Sequence, residues 1–165
     1  MTAESANRFE QSVELAAPAP VVFEHLDDFT RLGEHMMRSS WMMAGSRMSY
    51  EFDPARGRAV GARVRLQGSF LGIKLKIDEQ VDERIPPRTK SWHTIGHPRM
   101  IVLDSYRMGF SVTPLDTGCR LMIFIDYATP AHGLRRWIAR VAAAWYARWC
   151  VISMIDGAIK HFVHA

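Results

Sequence analysis

The chain has 165 residues, 48% hydrophobic and 23% charged, with a formal charge of +4; this excludes a disordered polyelectrolyte and suits one domain spanning residues 1–165. The basic excess is mild and scattered, and no basic block is interleaved with exposed aromatics in a recognition helix, which argues against nucleic-acid binding. Cys119 and Cys150 lie far apart, in neither a metal-type spacing nor a redox pair, and fit a reduced, cytoplasmic protein.

Met1 to Arg8 is polar, lacks the apolar core of a signal peptide and is expected to be a flexible tail. Phe9, Gln11, Val13 and Leu15 then alternate with Glu10, Ser12, Glu14 and Ala16, the period of a half-exposed strand. Pro18 and Pro20 end it and open a short helix, Val21 to Leu26, because proline is tolerated in a first helical turn. Asp27 or Asp28 can cap a second short helix reaching about His35. Met36 to Ser46 is methionine-rich and irregular.

Strand patterns resume at Arg47, with Met48, Tyr50 and Phe52 on one face. Five more follow: Val60 to Phe70, Ile73 to Glu83, Thr89 to Gly96, Ile101 to Thr113 and Arg120 to Ala128. Glycine- or proline-bearing turns separate them. From about Gly133 to Phe162 the pattern is helical, without internal proline, over about 45 Å at the usual rise. Ile138, Val141, Ala142, Trp145, Trp149, Ile152 and Met154 or Ile155 recur at three- and four-residue steps, so this stripe is expected to face the sheet, with Trp145 and Trp149 buried. No run of eighteen apolar residues occurs; Val141 to Met154 comes closest and Arg148 interrupts it, so stable membrane insertion is not expected.

Three segments carry a family resemblance. Phe9 to Phe29 is a strand, then Ala17-Pro18, then a helix with Phe23, then Asp27 and Asp28. Glu79-Gln-Val-Asp-Glu-Arg-Ile-Pro-Pro-Arg is a strand entering a proline turn. Gly118-Cys-Arg-Leu-Met-Ile-Phe-Ile-Asp-Tyr is a last strand leading through Pro130 and Gly133 to the long helix. Together they resemble the START-like helix-grip superfamily, also called SRPBCC, and within it the bacterial polyketide cyclase and dehydrase branch. The resemblance implies an α+β fold: a curved seven-stranded antiparallel sheet around a long C-terminal helix, with two short helices between the first two strands. It also implies a sheet–helix cavity for lipids, sterols, aromatics or polyketides, in a superfamily of which only some members are enzymes. Residues 36–48 match no family signature, and no catalytic motif of an enzymatic branch is present.

The expected occupant is therefore a hydrophobic small molecule or lipid. The candidate lining is Met48, Tyr50, Phe52, Leu66, Phe70, Leu75, Ile77, Trp92, Tyr106, Phe110, Trp145 and Trp149. Two carboxylates are candidates for chemistry. Strict alternation from Ile73 puts Glu79 beside Leu75, Ile77 and Val81, where burial would raise its pKa. A bulge near Asp78 or an open strand end would turn it to water, and that second reading is the preferred one because register slips easily. Asp104 can share a face with Tyr106 and Met108. The seven histidines form no compact metal motif, and no cofactor is expected. Binding without turnover is preferred; a cyclase or dehydratase using Glu79 or Asp104 is the rival. An accessory protein using Arg135, Arg136 and the tryptophan helix on a partner or membrane surface is the third reading, and a homodimer stays open.

Overall fold

The computed structural model describes residues 7–32, 48–70, 73–99, 103–129 and 136–163. Seven strands form one antiparallel sheet: β1 (Asn7–Leu15), β2 (Met48–Phe52), β3 (Arg63–Phe70), β4 (Ile73–Ile85), β5 (Thr89–Arg99), β6 (Ser105–Pro114) and β7 (Cys119–Ala128). Helices α1 (Ala19–Asp27) and α2 (Phe29–Leu32) follow β1, and the long helix α3 (Arg136–Val163) ends the chain. This is the helix-grip architecture implied by the resemblance. The strand order is β1-β7-β6-β5-β4-β3-β2, so the meander β2 to β7 is completed by β1 pairing with the last strand. Asn7 and Arg8 belong to β1, and Arg8 holds Asp126 of β7 at 2.9 Å, so the expected tail to residue 8 is too long. Residues 36–47 of the methionine-rich segment lie outside the described residues.

Inward positions alternate, with Phe124 of β7 also buried on the outer face beneath Arg8 and Arg107. On β7, Leu121, Ile123, Ile125 and Tyr127 are buried while Arg120 is exposed. Ala62 just before β3, and Val64 and Leu66 on it, are buried between exposed Arg63 and Arg65. Gly118 turns β6 into β7 with φ +87°, and a Cβ there would meet the Leu15 carbonyl oxygen at 2.0 Å, so only glycine fits.

Helices α1 and α2 are pinned to the sheet by a buried ion cluster. Lys90 of β5 donates to the Asp27 carboxylate at 2.9 Å and to its backbone carbonyl at 2.7 Å. Arg84 of β4 forks onto the same carboxylate, and the Lys90 ammonium sits 4.2 Å from the Phe29 ring centre. Burial pushes the Asp27 carboxyl up, but hydrogen bonds from Arg84 and Lys90 outweigh it and hold it below its ordinary value. Asp28 caps α2 by accepting from the Thr30 backbone N–H at 2.9 Å.

The long helix corrects one expectation. Its sheet-facing stripe is Ala143, Ala147, Cys150, Val151, Met154, Ile155 and Ala158, all buried. Trp145 and Val141 lie on the opposite side, 57% and 64% exposed, and Trp149 is half-buried. The helix is apolar on two faces, so the largest side chains did not mark the inner one. Alanine and cysteine let the helix come close to the strands. Its packing is concentrated on β1 and β7, at one edge of the sheet.

Candidate functional site

Because α3 lies along β1 and β7, it stands off from the middle of the sheet. The space left is a cavity of about 50 Å³ lined by Phe29, Tyr50, Leu66, Ile77, Glu79, Trp92, Leu103, Tyr106, Met108, Ile125, Tyr146, Cys150 and Met154. Each element contributes by its own period. Tyr146, Cys150 and Met154 are successive i, i+4 positions of α3. Ile77 and Glu79 of β4, like Tyr106 and Met108 of β6, are alternate strand positions. A surface hollow of about 250 Å³ at β2–β5 includes Glu51, Arg65 and Asp78, with Arg65 paired to Asp78 at 2.5 Å and to Glu51 at 3.7 Å. Its described lining comes from β2 to β5, whereas α3 walls the cavity between helix and sheet.

Five of the twelve expected lining residues, Tyr50, Leu66, Ile77, Trp92 and Tyr106, reach this cavity. Phe110 is fully buried elsewhere, its ring 5.5 Å from that of Phe23 beneath α1. Phe52 lines the surface hollow and stacks on Tyr50 at 5.9 Å. Leu75 packs on the core outside the lining, and Trp149 lies 5.8 Å from the Tyr146 ring. Trp145 points to solvent and drops out. The side chains of Met48 and Phe70 lie outside the described residues. Phe29, Leu103, Met108, Ile125, Tyr146, Cys150 and Met154 were missed. The Tyr146-Cys150-Met154 spacing was the available signal, hidden by the larger tryptophans.

The two carboxylates separate. Asp104 is exposed: β6 starts at Ser105, so alternation does not extend to it, and its backbone N–H bonds the Ala128 carbonyl at 3.0 Å. Glu79 faces inward, 4% exposed, which overturns the preferred outward reading. The β4–β5 pairing does slip between Lys76 and Asp78, but β5 advances from Arg99 to Ile95 there, so the extra residues belong to β5. The extra residue on β4 falls between Val81 and Glu83, beyond Glu79. Alternation along β4 therefore holds through Ile77, Glu79 and Val81.

Glu79 accepts a hydrogen bond from the Tyr106 hydroxyl. Burial raises its pKa from 4.5 to about 7, against the lowering effect of Tyr106, Trp92 and the Lys90 charge. The nearby phenols respond to it: burial and then Glu79 push Tyr50 and Tyr106 up. Burial pushes the Cys150 thiol up to about 12, although its hydrogen bond with Tyr146 acts the other way. The site is thus an apolar pocket with one titratable carboxyl and neutral phenol and thiol groups. No cluster of three metal-ligating side chains occurs among the described residues.

The sequence profile described as polyketide cyclase / dehydrase and lipid transport matches residues 6–153. The chain belongs to this family. No curated protein matches the sequence significantly. Among solved structures it is similar to Ara h 8.0201, at 11% identity and TM-score 0.67, over 97% of this chain and 99% of that one. It is similar to the Zhui aromatase/cyclase from Streptomyces sp. R1128, at 17% identity and TM-score 0.61, over 94% of each chain. It is also similar to the di-domain ARO/CYC StfQ of the steffimycin biosynthetic pathway, at 14% identity and TM-score 0.68, over 95% of this chain and 50% of that one. These likenesses agree on the helix-grip fold. Within the polyketide cyclase/dehydrase and lipid-transport family, the sheet–helix cavity carrying Glu79 is the candidate ligand site of this chain.

Proposed function

We propose that the protein binds a mostly apolar small molecule between α3 and the sheet, with its one polar end against Glu79 and Tyr106. The observation that carries this reading is a carboxyl buried in an otherwise uncharged, largely apolar wall. Near pH 7 such a group is partly protonated, so it can donate to a ligand carbonyl or accept from a hydroxyl. Apolar burial supplies affinity at about 25 cal/mol per Å² before the costs of association. Ligand pockets commonly hold roughly 300–1,000 Å³. The cavity must therefore widen, and flexible Met108 and Met154 in its wall suit that adjustment. Titration with an apolar fluorescent dye, together with native mass spectrometry of the purified protein, tests the site. Leu66→Trp and Cys150→Phe should each block dye binding. Undiminished binding in folded forms of both variants would move the site elsewhere.

The same carboxyl favours a second reading, a cyclase- or dehydratase-like enzyme. A pKa near 7 suits a group that gives and takes protons at neutral pH. Glu79→Gln keeps the hydrogen-bonding shape but removes the exchangeable acid. Turnover of a polyketide-like substrate should vanish in this variant while binding persists; retained turnover would remove Glu79 from the chemistry.

A further inference from the structure

The outer face of α3 is apolar, basic and turned to water. Val141 and Trp145 are 64% and 57% exposed, with exposed Ala144 and Arg148 beside them; the Arg148 guanidinium lies 5.6 Å from the Phe9 ring centre, and exposed Arg140 flanks the face about 100° round the helix. Positions 141, 145 and 148 follow i, i+4, i+7, so they form one row on the side away from Ala143, Ala147 and Val151. The sequence has no acidic residue between Asp126 and Asp156 but has four arginines there. The neighbouring strand does not supply the missing negative charge. Glu10 and Glu14 of β1 alternate with the inward Phe9, Val13 and Leu15, and each is paired, with Arg8 and Arg120 respectively, at 2.8 Å.

We infer that this face docks on an anionic lipid surface, with Trp145 and Val141 dipping into the interface and Arg140 and Arg148 above the headgroups. A tryptophan has an apolar body and one N–H, the combination that settles at a membrane–water boundary. Arginines beside it meet anionic headgroups, and their stems add apolar surface. The docking is peripheral, since no helix among the described residues is long and apolar enough to cross a membrane. A second copy is disfavoured as the occupant because a symmetric contact would set the same arginines against each other. An acidic protein surface would match the charge but would need specific partners for a row that offers mainly valine, alanine and one indole. A fluid interface needs no such register.

The test is co-flotation of the full chain with phosphatidylcholine vesicles, with and without phosphatidylglycerol, at low and high salt. Binding is expected to the anionic vesicles and to weaken with salt. Trp145→Ala should abolish most of it and Trp145→Phe should restore part. Arg140→Gln with Arg148→Gln should weaken it about thirty-fold, roughly five- to six-fold per basic residue. Thermal unfolding of each variant checks that the fold is kept. Three results overturn the proposal: no flotation, equal flotation with neutral vesicles, or full binding by Trp145→Ala. Sedimentation showing a dimer that Trp145→Ala disperses would assign the face to a second copy instead. Preference for a polyglutamate peptide over anionic vesicles would assign it to an acidic partner.

Discussion

Glu79 is protonated more readily in the folded chain than in the unfolded one, and this gives it a signature in stability. Its pKa rises from 4.5 to about 7 because burial disfavours the charge. Between those values the folded state binds more proton, so stability from this group is full below pH 4.5 and is lost as pH rises through 7. The loss is on the order of 3 kcal/mol. His25 works in the opposite direction. Burial, followed by nearby His161 and Arg31, lowers its pKa from 6.5 to about 4. The unfolded state then binds more proton between those values, so stability falls as pH drops from 6.5 to 4. Glu79→Gln should therefore remove the decline between pH 4.5 and 7 and leave the rise due to His25. Urea titrations at pH 4, 5.5, 7 and 8 check this; an unchanged profile would mean that Glu79 is solvated. Tyr106→Phe removes a hydrogen bond that lowers the Glu79 pKa, so it should shift the upper limit of the window further above 7.

At the scale of elements, the strength of each attachment differs. Lys90 is fully buried with Asp27 and joins α1 to β5. Lys90→Met leaves the carboxylate with Arg84 at 2.8 Å and the more distant Arg58 at 3.9 Å, and should cost about 3–5 kcal/mol in urea unfolding. A loss below about 1 kcal/mol would show that water compensates the buried charge. For α3 the expectation runs against side-chain size. Trp145→Ala should change stability by only about 0.5 kcal/mol, whereas Ala147→Leu should cost about 1–3 kcal/mol by overpacking. Equal effects would mean that the helix is turned the other way. The same contrast explains what was legible in the sequence. Strand number, order and the long helix were readable because alternation and the 3.6-residue period persist over many residues. The facing of α3 was not, because Val141 and Trp145 outweigh Ala143 and Ala147 on any hydrophobicity scale, while helix-to-strand distance favours the smaller residues. For Glu79, alternation itself pointed inward. Preferring the outward reading required a bulge on β4 or a strand end open to water; β4 runs on to Ile85, and the pairing of β4 with β5 decides which strand carries the extra residues.

For the whole molecule, the off-centre seat of α3 governs what the cavity can become. The helix packs mainly along β1 and β7, while the cavity lies toward β2 to β6. Mechanically this is a beam clamped along β1 and β7 and held at its end where His161 stacks on His25 of α1 at 3.8 Å, with the flank toward β2 to β6 the less tightly held. Under the proposed function, a larger guest widens the gap by tilting that flank, and the elastic cost rises with guest size. Such a device ranks ligands along a gradient of bulk rather than fitting one outline, so affinity should fall smoothly through a homologous series beyond its optimum. Calorimetry across that series reads the compliance of the helix directly, and an abrupt cut-off would instead reveal a rigid mould.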